Sequence, residues 1–341
     1  MSHINTISEF LLQAGTDYRV FDLARGIKKL SSQQFLNIEN ALIPAPHPRQ
    51  QHAWFGLIFS NKQLGTEHYI WFVKFPLDEQ GLLISATRNH FLEIIVDALA
   101  QQPENKPPRN GQLPDNPYSF VPIQQQLADF NSISRNELQL GQSIHYPAAL
   151  AYIKQTEPLD WRQVPLQGIA DIGALARQKE TVNLLVDKFS LLAEDVQTSL
   201  CASLENQVIE RRLTQCIHAW LMDDFNDVKR LQSSLRAFSQ STAKNLVREL
   251  ILKTLNSEHG LDQNILILLA ARHWQQLNDE AVLTLFINKL AEFGSELFIH
   301  LYADLVQIPT LRQNMLSILR WPQKSVPLTT AIGELFSEQG Q

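Results

Sequence analysis

Ala53-Trp54-Phe55-Gly56-Leu57-Ile58-Phe59 and His68-Tyr69-Ile70-Trp71-Phe72-Val73-Lys74-Phe75 decide how the first part of this chain folds. Both runs are rich in aromatic and β-branched side chains, and the polar stretch 61–67, with Gly65, separates them. That pattern predicts an antiparallel hairpin. Its odd-numbered face carries Phe55, Leu57, Phe59, Tyr69, Trp71, Val73 and Phe75, and the opposite face still carries Trp54, Ile58, Ile70 and Phe72. Successive strand residues point to opposite faces, so a pair apolar on both is either covered twice or offers one face to a partner. Trp54 and Trp71 are therefore candidate binding residues.

Upstream of the hairpin, residues 4–14 read as a short helix and 18–23 alternate as a half-buried strand. A turn at Arg25-Gly26 and a second strand over 27–30 complete another hairpin. Ser31 followed by Gln34 is a capping-box pattern and predicts a helix to about Ala41, ended by Pro44, Pro46 and Pro48. The segment around His47 reads as a stiff connecting loop rather than a polyproline ligand. Downstream, 85–100 reads as a helix with Phe91, Leu92, Ile95, Ala98 and Leu99 on its buried side.

Five prolines among Gln, Asn and Gly over 102–117 predict an extended linker. The expected organisation is thus a small α+β domain over 1–101, the linker 102–117, and an all-helical domain over 118–341. Beyond residue 118 only helical patterns appear. They start near Leu166, Glu180, Leu192, Gln207, Phe225, Thr242, Asp262, Asp279 and Ser295, so that a helix pair occupies about 30–40 residues. An irregular α-solenoid is the expected architecture, ahead of a plain bundle. The apolar run 265–271 predicts an interior helix.

The segments FDLARGIKKLSSQQF (21–35) and HYIWFVKFPLDEQGLLISATRNHFLE (68–93) resemble a bacterial, proteobacterial family defined only as a domain of unknown function. The resemblance spans nearly the whole chain. It implies a bacterial, non-secreted protein and brings no activity, cofactor or functional residue with it.

Function must then be weighed from the residues. The chain has 341 residues with 29 Lys+Arg against 35 Asp+Glu, a net charge of -6 that argues against a surface built wholly for nucleic acid. No basic segment followed by an apolar one opens the chain, and its longest apolar run is far short of the roughly 20 residues a membrane helix needs. A cytoplasmic protein without a membrane span is expected. No phosphate-cradling glycine loop or nucleophile elbow occurs, so no cofactor is expected.

His90, Glu93 and Asp97 share one stripe of the 85–100 helix, but on the side expected to face water, so no metal is expected there. Cys201, Cys216 and His218 match no zinc spacing and read as core. No catalytic residue is assigned. The local electrostatic feature is basic: Lys229, Arg230, Arg236, Lys244, Arg248 and Lys253 with Glu249 as the single acid between them. These would form a ridge on two neighbouring helices and are candidate binding residues for an anionic partner.

The leading expectation is a non-catalytic interaction or adaptor protein that binds another protein. A hydrolase assembled from His52, His68 and His90 with Asp78, Glu79 and Glu93 is the alternative, and RNA or another anionic partner on the ridge the weaker one.

Overall fold

The computed structural model describes residues 5–60, 68–100, 114–156 and 159–338. The polar hairpin loop and most of the proline-rich linker, at 61–67 and 101–113, lie outside the described residues. The chain divides into two compact units, Met1–Val121 with Ala303–Leu316, and Pro122–Tyr302 with Ser317–Gln341.

In the first unit the two hairpins join into one antiparallel sheet. Strands β1 (Asp17–Asp22), β2 (Lys28–Leu30), β3 (His52–Ser60) and β4 (Tyr69–Pro76) lie in the order β2-β1-β3-β4. In the register of β3 and β4, Phe55 faces Val73 and Leu57 faces Trp71, so the odd residues share a face. Helices α1 (Ile7–Gln13), α2 (Ser32–Glu39) and α3 (Ser85–Ala100) supply the apolar partners of that face. Phe35 of α2 packs edge-on to Phe55 at 5.1 Å, and Phe91 of α3 meets Phe75 at 5.6 Å. The capping box forms as its sequence requires: Ser31 accepts from the Gln34 amide while the Gln34 side chain accepts from the Ser31 amide.

A long-range cap fastens α1. The buried Glu39 carboxylate accepts from the Ile7 amide at 2.6 Å and from the Ser8 hydroxyl at 2.5 Å, satisfying donors that a helix start leaves unpaired. Arg88 donates to the Glu39 backbone oxygen, not to the carboxylate. Burial therefore dominates and pushes the Glu39 carboxyl up to about 7, against the hydrogen bonds from Ser8 and Ile7 and the charge of Arg88. A group raised on folding holds its proton more tightly in the native state, so its contribution to stability is greatest below the unfolded value of 4.5 and falls as pH rises towards 7. The melting temperature is expected to drop between pH 5 and pH 7 and to drop less in Glu39→Gln. Parallel slopes in the two proteins, measured by circular dichroism, would exclude Glu39 as the source.

The second unit contains α4 (Gln124–Glu137), α5 (Tyr146–Lys154), α6 (Leu166–Ala174), α7 (Lys179–Lys188), α8 (Glu194–Leu204), α9 (Arg211–Asp223), α10 (Val228–Ala237), α11 (Lys244–Leu255), α12 (Gln263–Arg272), α13 (Glu280–Phe293) and α16 (Val326–Glu338). The chain also forms α14 (Ser295–Leu305) and α15 (Arg312–Ile318), which run through its return into the first unit. Several helices begin where their caps dictate: Asp227, Asp262 and Asp279 each accept from first-turn amides of the helix that follows.

Much of the packing in this unit skips a helix. α4 packs on α6, α6 on α8, α8 on α10 and α10 on α12, while α5 packs on α7, α7 on α9 and α11 on α13; consecutive helices also pack, α5 on α6 and α9 on α10, and α13 packs on α16. Side-chain bonds between stacked helices join residues 31 apart for Arg236 and Glu205, and 31 apart for Arg248 and Asp279. Close approach at α6 depends on small residues. A Cβ on Gly168 would lie 2.5 Å from the His145 carbonyl oxygen, and one on Gly173 2.6 Å from the Ser203 Cβ. Because a backbone oxygen cannot swing aside, Gly168→Ala is expected to cost about 1–3 kcal/mol, read as a lower urea midpoint.

One expectation needs correction here. The 265–271 run does not form a wholly interior helix: Ile265, Leu266, Leu269 and Ala270 are buried, but Ile267 is 38% exposed. Each neighbour in a row covers only part of a helix, so an apolar residue on the remaining side stays in water. Among the described residues no helix is long and apolar enough to cross a membrane.

Candidate binding surfaces

The two tryptophans of the hairpin fall in different environments. Trp71 is 7% exposed and packs against Phe59 at 4.7 Å and Phe91 at 6.0 Å, which makes it a core residue. Trp54 is half-buried on the opposite face, edge-on to Phe120 at 4.8 Å, with the Arg49 guanidinium 4.1 Å and the Lys74 ammonium 5.0 Å from its ring centre. Residues 118–120 run along β4: the Lys74 amide donates to the Tyr118 oxygen, and the Phe120 amide donates to the Phe72 oxygen. Part of the second apolar face is thus covered from within the unit.

The candidate basic residues lie on two helices with different packing partners. Lys229, Arg230 and Arg236 lie on α10, which packs on α8, α9 and α12, while Lys244, Arg248 and Lys253 lie on α11, which packs on α13. Lys229 reaches Glu194 at 3.2 Å, Arg230 sits 5.1 Å from the Trp220 ring centre, and Lys253 sits 4.1 Å from that of Phe225. Desolvation lowers the pKa of Lys244. Arg248 forms a two-pronged pair with Asp279, at 2.8 and 3.2 Å. That pair borders an open groove of about 630 Å³ lined also by Glu280, Ala281, Thr284, Leu285 and Asn288.

Among the described residues, no hydrogen bond or ion pair joins the residues of the hydrolase reading to one another. His52 Nδ1 bonds the Gln50 oxygen at 2.7 Å, His68 is exposed, and His90 Nδ1 meets the Tyr118 hydroxyl at 3.0 Å. Asp78 accepts from the Gln80 and Leu82 amides and shapes a turn, and the Glu79 backbone oxygen accepts from Arg312. His90, Glu93 and Asp97 are all exposed on α3. A histidine that does meet a carboxylate is His47, whose Nδ1 lies 2.9 Å from buried Asp22. Its stiff proline-flanked loop gave no sign of this, because the partner lies 25 residues away.

Cys201 is fully buried, and burial pushes its thiol far above the ordinary range. Cys216 Sγ donates to the Val186 oxygen and is likewise raised by burial. Burial, then the charge of Lys253, lowers His218. None of the three is an activated nucleophile or base.

A polar cluster in the second unit was not foreseen. Glu205, just past the end of α8, is bound through Oε2 by Arg236 Nε of α10 at 2.8 Å and through Oε1 by Arg272 Nη2 of α12 at 3.2 Å. Burial works to raise the Glu205 carboxyl, and the two guanidiniums outweigh it and hold it below its ordinary value. Beside it, buried Asp129 of α4 accepts from Ser203 at 2.6 Å, Gln125 at 3.0 Å and Asn206 at 3.2 Å. Desolvation pushes Asp129 up to about 7 against those bonds. An acid at a core-spaced position between Ala128 and Phe130 was the one signal available in the sequence.

A small antiparallel α+β unit and a helical unit whose stacked helices are joined by ion pairs define the class of protein. The chain belongs to the family described as protein of unknown function DUF3549, whose model matches residues 2–336. Neither a curated protein nor a solved structure matches the chain.

Proposed function

We propose that this is a non-catalytic interaction protein, an adaptor that presents its helical unit to another protein. The observation that supports it is the packing of helices onto helices two further along. In helical-repeat and solenoid proteins the same arrangement spreads one binding surface over many elements. The inference is one of architecture, since a fold of this kind does not by itself dictate a function. An open groove lined by charged, polar and apolar side chains suits a protein partner better than a small substrate, which is usually held in an enclosed pocket. The proposed setting is the bacterial cytoplasm, where the free thiols of Cys201 and Cys216 would stay reduced.

The test is affinity purification of the tagged full chain from its native host after brief crosslinking. Recovery of the same stoichiometric partner in repeated preparations is the expected result. Turnover of a hydrolase substrate panel with no partner recovered would overturn the reading in favour of the enzyme alternative.

A further inference from the structure

We infer that Arg236 and Arg272 form a binding site for a single carboxylate, supplied by an aspartate or glutamate side chain of the partner protein. The inference rests on the interaction reading above and names the chemistry at one point of that contact. Glu205 is 7% exposed and engages one nitrogen of each guanidinium. The arginine side chains remain 32% and 22% exposed. Among the described residues, nothing accepts from the Arg236 Nη groups or from Arg272 Nη1, and Arg272 Nε is buried without a partner.

Two forks are therefore fixed by one buried carboxylate while several donors remain unused. Guanidinium donors in a fixed plane match a carboxylate, and holding both side chains in place beforehand removes much of the entropic cost of binding. Charge selects the class of anion. Two guanidiniums against Glu205 leave a single positive charge, and Asp129 lies within electrostatic reach of Arg236. A phosphoryl dianion would overshoot that single positive charge, whereas a monoanion balances it. The site also joins three stacked helices, α8, α10 and α12, so a partner seated on it spans the row.

The experiment uses the full chain labelled with ¹⁵N at arginine, titrated with a hexaglutamate peptide and, separately, with inorganic phosphate and with sodium chloride at matched ionic strength. Saturable shifts of the Arg236 and Arg272 Nε–H signals with the peptide are expected, with weaker or no saturation by phosphate. Arg236→Lys and Arg272→Lys keep the charge opposite Glu205 and should fold, yet each should weaken the peptide about tenfold by losing the planar fork. Glu205→Gln should tighten it by raising the net charge.

Shifts that follow ionic strength alone, tighter saturation by phosphate than by peptide, or unchanged affinity in both lysine variants would each overturn the assignment. A partner recovered equally with wild type and with both lysine variants would sink the carboxylate site and leave the interaction reading standing. Arginine-dependent peptide binding without any cellular partner would do the reverse.

Discussion

Replacing Trp71 with alanine is expected to lower stability by about 3–5 kcal/mol, the cost of removing a large aromatic side chain from a packed core. The ring is 7% exposed and is held by Phe59, Phe91 and Phe10, whose ring centre is 6.3 Å away. These contacts come from β3, α3 and α1, so the void would touch three elements at once and could not be closed by one side chain turning inward. Trp54→Ala should cost only about 1–2 kcal/mol, because that indole is half-buried and loses mainly its contacts with Phe120 and the Arg49 and Lys74 cations. Urea unfolding followed by circular dichroism, with hydrogen exchange on first-unit peptides, measures both. Equal losses at the two positions would contradict the assignment of Trp71 to the core.

The second large effect is expected at Arg25. Its side chain is 1% exposed, bonds Asp304 at 2.5 Å, and donates through Nε to the Pro48 oxygen at 2.9 Å. The other Asp304 oxygen accepts from the Gln50 amide at 2.8 Å. Gln50 and Gln51 form a tight turn closed by mutual Arg49 and His52 backbone bonds, with positive φ at both residues. Glycine or asparagine favours such a turn, and glutamine there stores strain that the Asp304 bond helps to offset. Arg25→Ala would strand a largely buried carboxylate and is expected to cost about 3–5 kcal/mol. Hydrogen exchange should rise in 303–316 and around Gln50 before it rises in β3. Exchange unchanged in 303–316 would mean that other contacts hold this segment in the first unit.

These two positions mark where local sequence information ends. The β3–β4 hairpin was legible because strand periodicity shows within a few residues, and so were the helix starts at Asp262 and Asp279, whose caps act on amides of the next turn. Assignment of a role to each face of that hairpin was not legible. Trp54 and Trp71 look alike in sequence, and only the positions of α1, α3 and Phe120 separate a core residue from a half-buried one. The basic stretch shows the same limit: Arg236 and Arg248 are close along the chain, while helix packing gives them partners 31 residues away in opposite directions.

By itself, then, the sequence determined what short-range physics controls: strand alternation, helix caps, breaks at proline, and an α+β beginning followed by helices. Tertiary structure alone decided that Glu205 would meet Arg236 and Arg272, and that residues 303–316 would join the first unit. Ion pairs and buried networks depend on which helices stack. A residue's own neighbours carry no record of a partner 31 or 67 positions away.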